Sequence, residues 1–243
     1  RAGLYEVVKY GVIASRPLFD RIGTGLRQIF ARQADALLPI IADSCRIKAS
    51  IVEQDVIEFK KCTAKFILHV EKDTVWRRFA EDKFWRKHNC ILTHGQGQPP
   101  RGVRRMLNRL HHDFKLPVFC LLDNDPWGYY IYSVIKQGSI NLAFESERMA
   151  IPDAKFLGLR SRDYERCELS PSVKINLNEQ DIKRAKQIAS YPWFEHKKAW
   201  QKEIEQMLKN GFKLEVEALI SKDISYVTEE YTPARLNDGD WLD

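Results

Sequence analysis

Pro117-Val118-Phe119-Cys120-Leu121-Leu122 runs straight into Asp123-Asn124-Asp125-Pro126. The apolar run has the length and continuity of a strand covered on both faces, and Pro126 pre-sets the backbone for a helix start. The acidic residues therefore fall at the carboxyl end of a strand. Upstream the pattern recurs. Lys65-Phe66-Ile67-Leu68-His69-Val70 ends at Glu71, a helix capped by Asp73 runs to Phe84, and Cys90-Ile91-Leu92-Thr93 leads into the loop His94-Gly95-Gln96-Gly97-Gln98-Pro99-Pro100. Arg101 to Phe114 keeps helical period, with Val103, Met106, Leu107, Leu110 and Phe114 as its apolar stripe. Downstream, a helix from Pro126 passes through Tyr130, Ile131, Val134 and Ile135 to a break at Gly138. Strands alternating with helices predict an α/β fold, a parallel sheet flanked by helices and joined by right-handed crossovers.

Farther out, Ile140-Asn141-Leu142-Ala143-Phe144 and Phe156-Leu157-Gly158-Leu159 read as strands or extended chain. Helical stretches over residues 179–190, 194–209 and 214–220 make the C-terminal part mostly helical. The sequence thus divides into an arm over residues 1–48 and an α/β domain with a helical extension over 49–243. Within the arm, Leu26, Ile29 and Phe30 keep helical spacing.

The composition narrows the possible functions. Hydrophobic residues make up 44% and charged residues 30% of 243, a globular balance rather than a disordered one. A net charge of +6 favours a polyanionic partner. No apolar run is long enough to cross a bilayer, so no membrane partner is expected; the longest, Ala36 to Ala42, is broken by Pro39. Cys45, Cys62, Cys90, Cys120 and Cys167 form no C-x-x-C pair, which argues against zinc or a disulfide framework and for a reduced compartment.

Open parallel sheets bind ligands beyond the carboxyl ends of their strands. Glu71 follows one strand, and Asp123 and Asp125 another; carboxylates gathered there would repel one another without a cation. Hard oxygen donors with no His or Cys among them suit magnesium (Mg2+), as in phosphoryl-transfer sites. The plainer reading is that Asp125 and Asp73 are helix caps. Two acidic sites at different strand ends favour the metal. Arg101, Arg105 and Arg109 recur every four residues opposite the apolar stripe, as a solvated helix face or as ligands of a phosphate backbone, and Lys72 adds charge nearby. Gly95 and Gly97 are not a P-loop, since no Gly-Lys-Ser/Thr follows; they serve a tight turn, one that allows close backbone approach to a phosphate. His94, His111 and His112 lack a metal-binding spacing and are assigned to the surface or helix ends. Trp193, Phe194 and Trp200 are assigned to packing.

Val70-Glu71-Lys72-Asp73, Thr93-His94-Gly95-Gln96-Gly97-Gln98-Pro99 and Leu122-Asp123-Asn124-Asp125-Pro126-Trp127-Gly128 fall in the order and spacing of a Toprim domain. In detail the sequence resembles the DNA topoisomerase VI A-subunit family, which includes the meiotic double-strand-break transesterase. The likeness continues through Gly138-Ser139-Ile140-Asn141, Ser146-Glu147-Arg148, Pro152-Asp153-Ala154-Lys155, Asp181-Ile182-Lys183-Arg184-Ala185 and Tyr191-Pro192-Trp193-Phe194. The close, Asp223 to Tyr226 and Asp240 to Leu242, is most similar to plant-type members.

The resemblance implies a DNA double-strand break made by transesterification. Glu71, Asp123 and Asp125 would hold magnesium, and a tyrosine would attack the backbone and stay joined to the DNA 5′ end. Two A subunits would pair as a homodimer across double-stranded DNA, and an ATP-binding B subunit would complete a heterotetramer. The setting would be the nucleus, or the cytoplasm and nucleoid of an archaeon. The family's tyrosine sits in a winged-helix domain ahead of the Toprim domain, in an Arg-x-x-aromatic-Tyr motif. Here Arg1-Ala2-Gly3-Leu4-Tyr5 has Leu in place of the aromatic, and Tyr5 stands too close to Glu71 for the usual winged helix. Tyr5 is therefore read as unrelated, the nucleophile as lying outside this sequence, and the arm as a remnant of the preceding domain. Two other classes of function stay open: a non-catalytic DNA-binding or assembly module, and a Toprim nuclease that uses metal-bound water.

Overall fold

The computed structural model describes residues 59–139 and 143–243, together with strand β1 (Ile13–Ala14), which pairs antiparallel with β2 (Phe59–Lys61). Tyr5 and the expected helix near Leu26 lie outside the described residues. From β3 (Phe66–Val70) the chain passes through α1 (Asp73–Glu81), α2 (Phe84–His88), β4 (Cys90–His94), α3 (Arg101–Phe114), β5 (Val118–Leu121) and α4 (Pro126–Gln137). It continues through α5 (Ala143–Met149), β6 (Lys155–Gly158), α6 (Asp163–Arg166), β7 (Ile175–Asn176), α7 (Glu179–Ala189), α8 (Pro192–Glu195) and α9 (Lys198–Asn210). Strand β8 (Phe212–Lys213), α10 (Glu217–Ile220), a π-helical turn (Val227–Tyr231) and α11 (Thr232–Asp238) close it. The α/β expectation holds: β4-β3-β5-β6 form a four-stranded parallel sheet flanked by helices. Strands β3 and β4 are in register from Phe66 with Cys90 to Val70 with His94, so their carboxyl ends are level.

The described chain falls into two compact units, divided within β5 and within α4. In the first, α1 and α3 lay apolar stripes on the sheet, burying Val75, Trp76, Phe79, Val103, Leu107 and Leu110 beside Ile67, Leu68 and Leu92. The helix expected to run unbroken to Phe84 stops at Glu81, because Lys83 adopts a left-handed backbone (φ 55°) that α1 cannot continue through. Asp73 is not a cap either. Lys72 holds the N-cap position, and Asp73, the first helical residue, pairs with Arg77 at 2.8 Å. The strand expected over residues 140–144 is corrected where it is described, since Ala143–Met149 is helical. Its last carbonyls find donors on α3: Arg105 Nη1 reaches the Arg148 carbonyl at 2.9 Å and Asn108 Nδ2 the Ala150 carbonyl at 2.8 Å. Satisfied end groups let the helix win over an apolar run that also suits a strand.

The second unit is centred on aromatic rings. Trp200 is fully buried and stacks on Tyr132 at 5.2 Å, with Phe156 and Phe194 edge-on at 5.0 and 5.2 Å. Trp200 and Phe194 are thus the packing residues expected. Beyond α11 the chain returns to β6, where Phe156 and Leu242 exchange both backbone hydrogen bonds, at 2.8 and 2.9 Å. Asp240 next to this bridge accepts from Arg160, Arg162, Arg166 and Arg235.

Candidate metal and DNA-binding site

At the end of β3, Glu71 is buried at 7% exposure. Its backbone carbonyl accepts the Gly97 N–H at 3.0 Å, which ties the glycine loop after β4 to the end of β3. That loop depends on its glycines for different reasons. A Cβ on Gly95 would stand 2.7 Å from the Gly97 carbonyl oxygen and 2.9 Å from Pro99 Cα. A Cβ on Gly97 would meet nothing within 4 Å, but its φ of +92° is one that side-chain-bearing residues rarely adopt. Lys72 is half-buried at the start of α1. His94, expected at the surface, is fully buried in β4, with its ring 5.3 Å from that of Trp76 and Nε2 3.6 Å from Asp73. His69 beside it is buried too and bonds Thr93 Oγ1 at 2.9 Å; burial pulls its pKa down to about 3, so it is neutral.

In the second unit, the Asp123-Asn124-Asp125 turn is fixed from several directions. Asn124 exchanges backbone hydrogen bonds with Leu214 at 2.9 and 3.1 Å. Asp123, 3% exposed, accepts the Val216 N–H on Oδ1 at 2.8 Å. Asp125 Oδ1 accepts the Gly128 N–H at 2.6 Å, the geometry of an N-cap on α4. Gly128 carries no side chain because a Cβ there would lie 2.3 Å from the Asp123 carbonyl oxygen. Beneath the turn, Asn124 Nδ2 donates to the Tyr129 hydroxyl (2.5 Å), Ser161 Oγ (3.2 Å) and Glu203 Oε1 (3.2 Å). That Glu203 oxygen also accepts the Tyr129 hydroxyl proton at 2.9 Å and the Ser161 N–H at 2.6 Å. Burial raises the Asp125 pKa, while hydrogen bonds from Gly128 and the charge of Lys213 pull it back and Asp181 pushes it up. Lys213 is itself committed to the buried Asp181, at 3.0 Å.

The residues expected to hold an ion are carboxylates with no sulfur or imidazole among them, Glu71 and Asp123 buried and Asp125 half-buried, a donor chemistry that suits a hard divalent ion. Among the described residues, no three His, Cys, Asp or Glu side chains are grouped so as to hold an ion. Magnesium does not need such a cage, since it takes one or two carboxylates and completes its shell with waters and phosphate oxygens.

The arginine face of α3 departs from expectation. Arg105 and Arg109 are 8% and 4% exposed, not solvated. Arg105 bonds Asn108 and the Arg148 carbonyl, while Arg109 pairs with Asp113 at 2.7 Å and lies 4.9 Å over the Phe59 ring. Both guanidinium groups are engaged inside the first unit. Arg101 remains exposed, paired with Glu145. Alternating charge with an apolar stripe looks the same in sequence whether a third element covers it or not, and here α5 and Phe59 do.

With this geometry in hand, comparison with known proteins is decisive. Residues 66–236 match the Toprim domain of the Topoisomerase 6 A-subunit/Spo11 family. The chain belongs to that family. The match begins on the first residue of β3 and ends inside α11, so this Toprim domain includes both strand ends described above. The A subunit of type 2 DNA topoisomerase 6 from Aeropyrum pernix is 43% identical over 198 residues, 78% of this chain and 51% of the relative. Its counterpart in Pyrococcus abyssi is 40% identical, over 76% of this chain and 51% of the relative. The A subunit of DNA topoisomerase 6 from Arabidopsis thaliana is 37% identical, over 74% and 42%. The chain spans about half the length of these topoisomerase 6 relatives. Residues 3–65 match a different family, the 3-dehydroquinate synthase C-terminal domain.

Proposed function

We propose that this chain is the Toprim portion of a topoisomerase VI A subunit, with a part in magnesium-dependent cleavage and rejoining of duplex DNA by transesterification. The observation that carries the proposal is the Asp123-Asn124-Asp125 turn: two carboxylates at one strand end, each oriented by a backbone N–H and stiffened from beneath by Asn124. Asp123 and Asp125, joined by Glu71, would hold the ion; when bound it neutralises charge on the phosphate and orients the leaving oxygen. The chain's own contribution is to keep the carboxylates oriented and largely out of water, so that little reorganisation is needed when the phosphate arrives. Arg101, Lys72 and the Gly95–Gly97 loop would approach the DNA backbone. The attacking tyrosine would come from outside these 243 residues, a second copy of the chain would pair across the duplex, and an ATP-binding B subunit would drive strand passage, in a nucleus or nucleoid.

Calorimetry of magnesium binding tests the site. Asp123→Ala should weaken magnesium at least about 10-fold, and so should Asp123→Asn, which keeps an acceptor for the Val216 N–H. Unchanged affinity in both variants removes the metal assignment. One observation favours a second reading, a DNA-binding protein that does not cleave: residues 3–65 match the 3-dehydroquinate synthase C-terminal domain, a family other than the one matched by residues 66–236. Covalent capture of duplex DNA by the full-length product, with ATP and the B subunit, separates the two readings.

A further inference from the structure

We propose that Trp127 is a DNA-contacting residue, packing against the nucleotide next to the phosphate handled by the Asp123–Asp125 turn, with Arg184 holding it in place. This rests on the metal-site reading above. Trp127 is the second residue of α4, two positions from Asp125, and it leaves 50% of its surface exposed. Half an indole in water forgoes a large hydrophobic gain, and tryptophan in that state is characteristic of binding surfaces.

Its surroundings narrow the partner. The Arg184 guanidinium, from α7, lies 5.0 Å from the Trp127 ring, 4.2 Å from Tyr130 and 6.0 Å from Tyr191. Nη1 donates to Gln187 Oε1 at 2.9 Å and to the Tyr191 hydroxyl at 3.2 Å, whereas Nε is buried with no hydrogen-bond partner among the described residues. This cation is therefore pinned between rings, an amide and a phenol, and makes no ion pair among the described residues. Its helix also exposes Lys183 and Lys186, while the buried acid on the same helix, Asp181, is already matched by Lys213. A fixed, exposed aromatic face beside an unneutralised guanidinium fits a ligand that is both flat and anionic. An unstacked nucleotide, as in a single-stranded or opened stretch of DNA, has both properties, with stacking carried by the indole and phosphate attraction by the arginine.

The test uses the complete chain with a fluorescently labelled DNA duplex carrying a single-stranded overhang, in magnesium buffer, titrated over a range of salt. Trp127→Ala should weaken binding about 10-fold with little change in the slope of affinity against salt. Trp127→Phe should recover most of the loss. Arg184→Ala should lower both the affinity and that slope. Because Trp127 is exposed, its variants should melt like the unsubstituted protein, so loss of binding is not loss of fold. If Trp127→Ala binds as tightly as the parent, the inference fails while the metal-site reading stands; if the parent does not bind duplex at all, both fail. A shift from dimer to monomer in Trp127→Ala during sedimentation, with DNA affinity unchanged, would assign the residue to a chain–chain contact and overturn the proposal.

Discussion

The ends of β3 and β5 present carboxylates of the same kind and are built by different means. After β3 the position is enforced by shape: Gly95 folds the loop back on itself so that Gly97 can donate to the Glu71 carbonyl. After β5 it is enforced by hydrogen bonding, with Glu203 collecting Asn124, Tyr129 and Ser161 beneath the turn and Val216 and Gly128 gripping the two aspartates. A shape constraint can be relaxed by bending a loop. A buried network must be satisfied throughout or its members become costly.

That contrast sets an order of expected losses. Glu203→Ala should be the most damaging, because three buried donors lose one acceptor at once; a loss of roughly 3 kcal/mol in chemical denaturation is expected, together with weaker magnesium binding in calorimetry. A fully stable Glu203→Ala would show that the turn does not depend on the network. Gly95→Ala should cost about 2 kcal/mol, through contact with the Gly97 carbonyl and Pro99. It should also quicken hydrogen exchange at the Gly97 amide. Gly97→Ala should be mildest, about 1 kcal/mol, since backbone strain is its only penalty and no atom is in the way. If Gly97→Ala proved worse than Gly95→Ala, the shape argument for the β3 end would be reversed.

The same contrast explains how much of the molecule is legible in its sequence. Strand–helix alternation, both acidic strand ends and the glycine loop follow from local pattern, and α3 spans Arg101–Phe114 as its stripe predicts. The support under the β5 turn is not legible, because Glu203, Leu214 and Val216 lie about 80 to 90 residues downstream and nothing local distinguishes them from ordinary helix and loop residues. The burial of Arg105 and Arg109 escapes a sequence reading for a related reason: amphipathic spacing reports which residues share a face and is silent on what covers it. Trp127 carries a usable signal, a large aromatic beside an acidic turn, yet its exposure is a tertiary fact.

The bridge between Phe156 and Leu242 has a practical corollary. It occupies backbone groups of the outermost strand, β6, that would otherwise be open to pairing with a strand from another molecule. Deleting residues 239–243 would uncover that edge and release four arginines from Asp240 in one stroke. A shortened protein of that kind should accumulate in inclusion bodies, while one lengthened after Asp243 by a soluble tail should stay in solution.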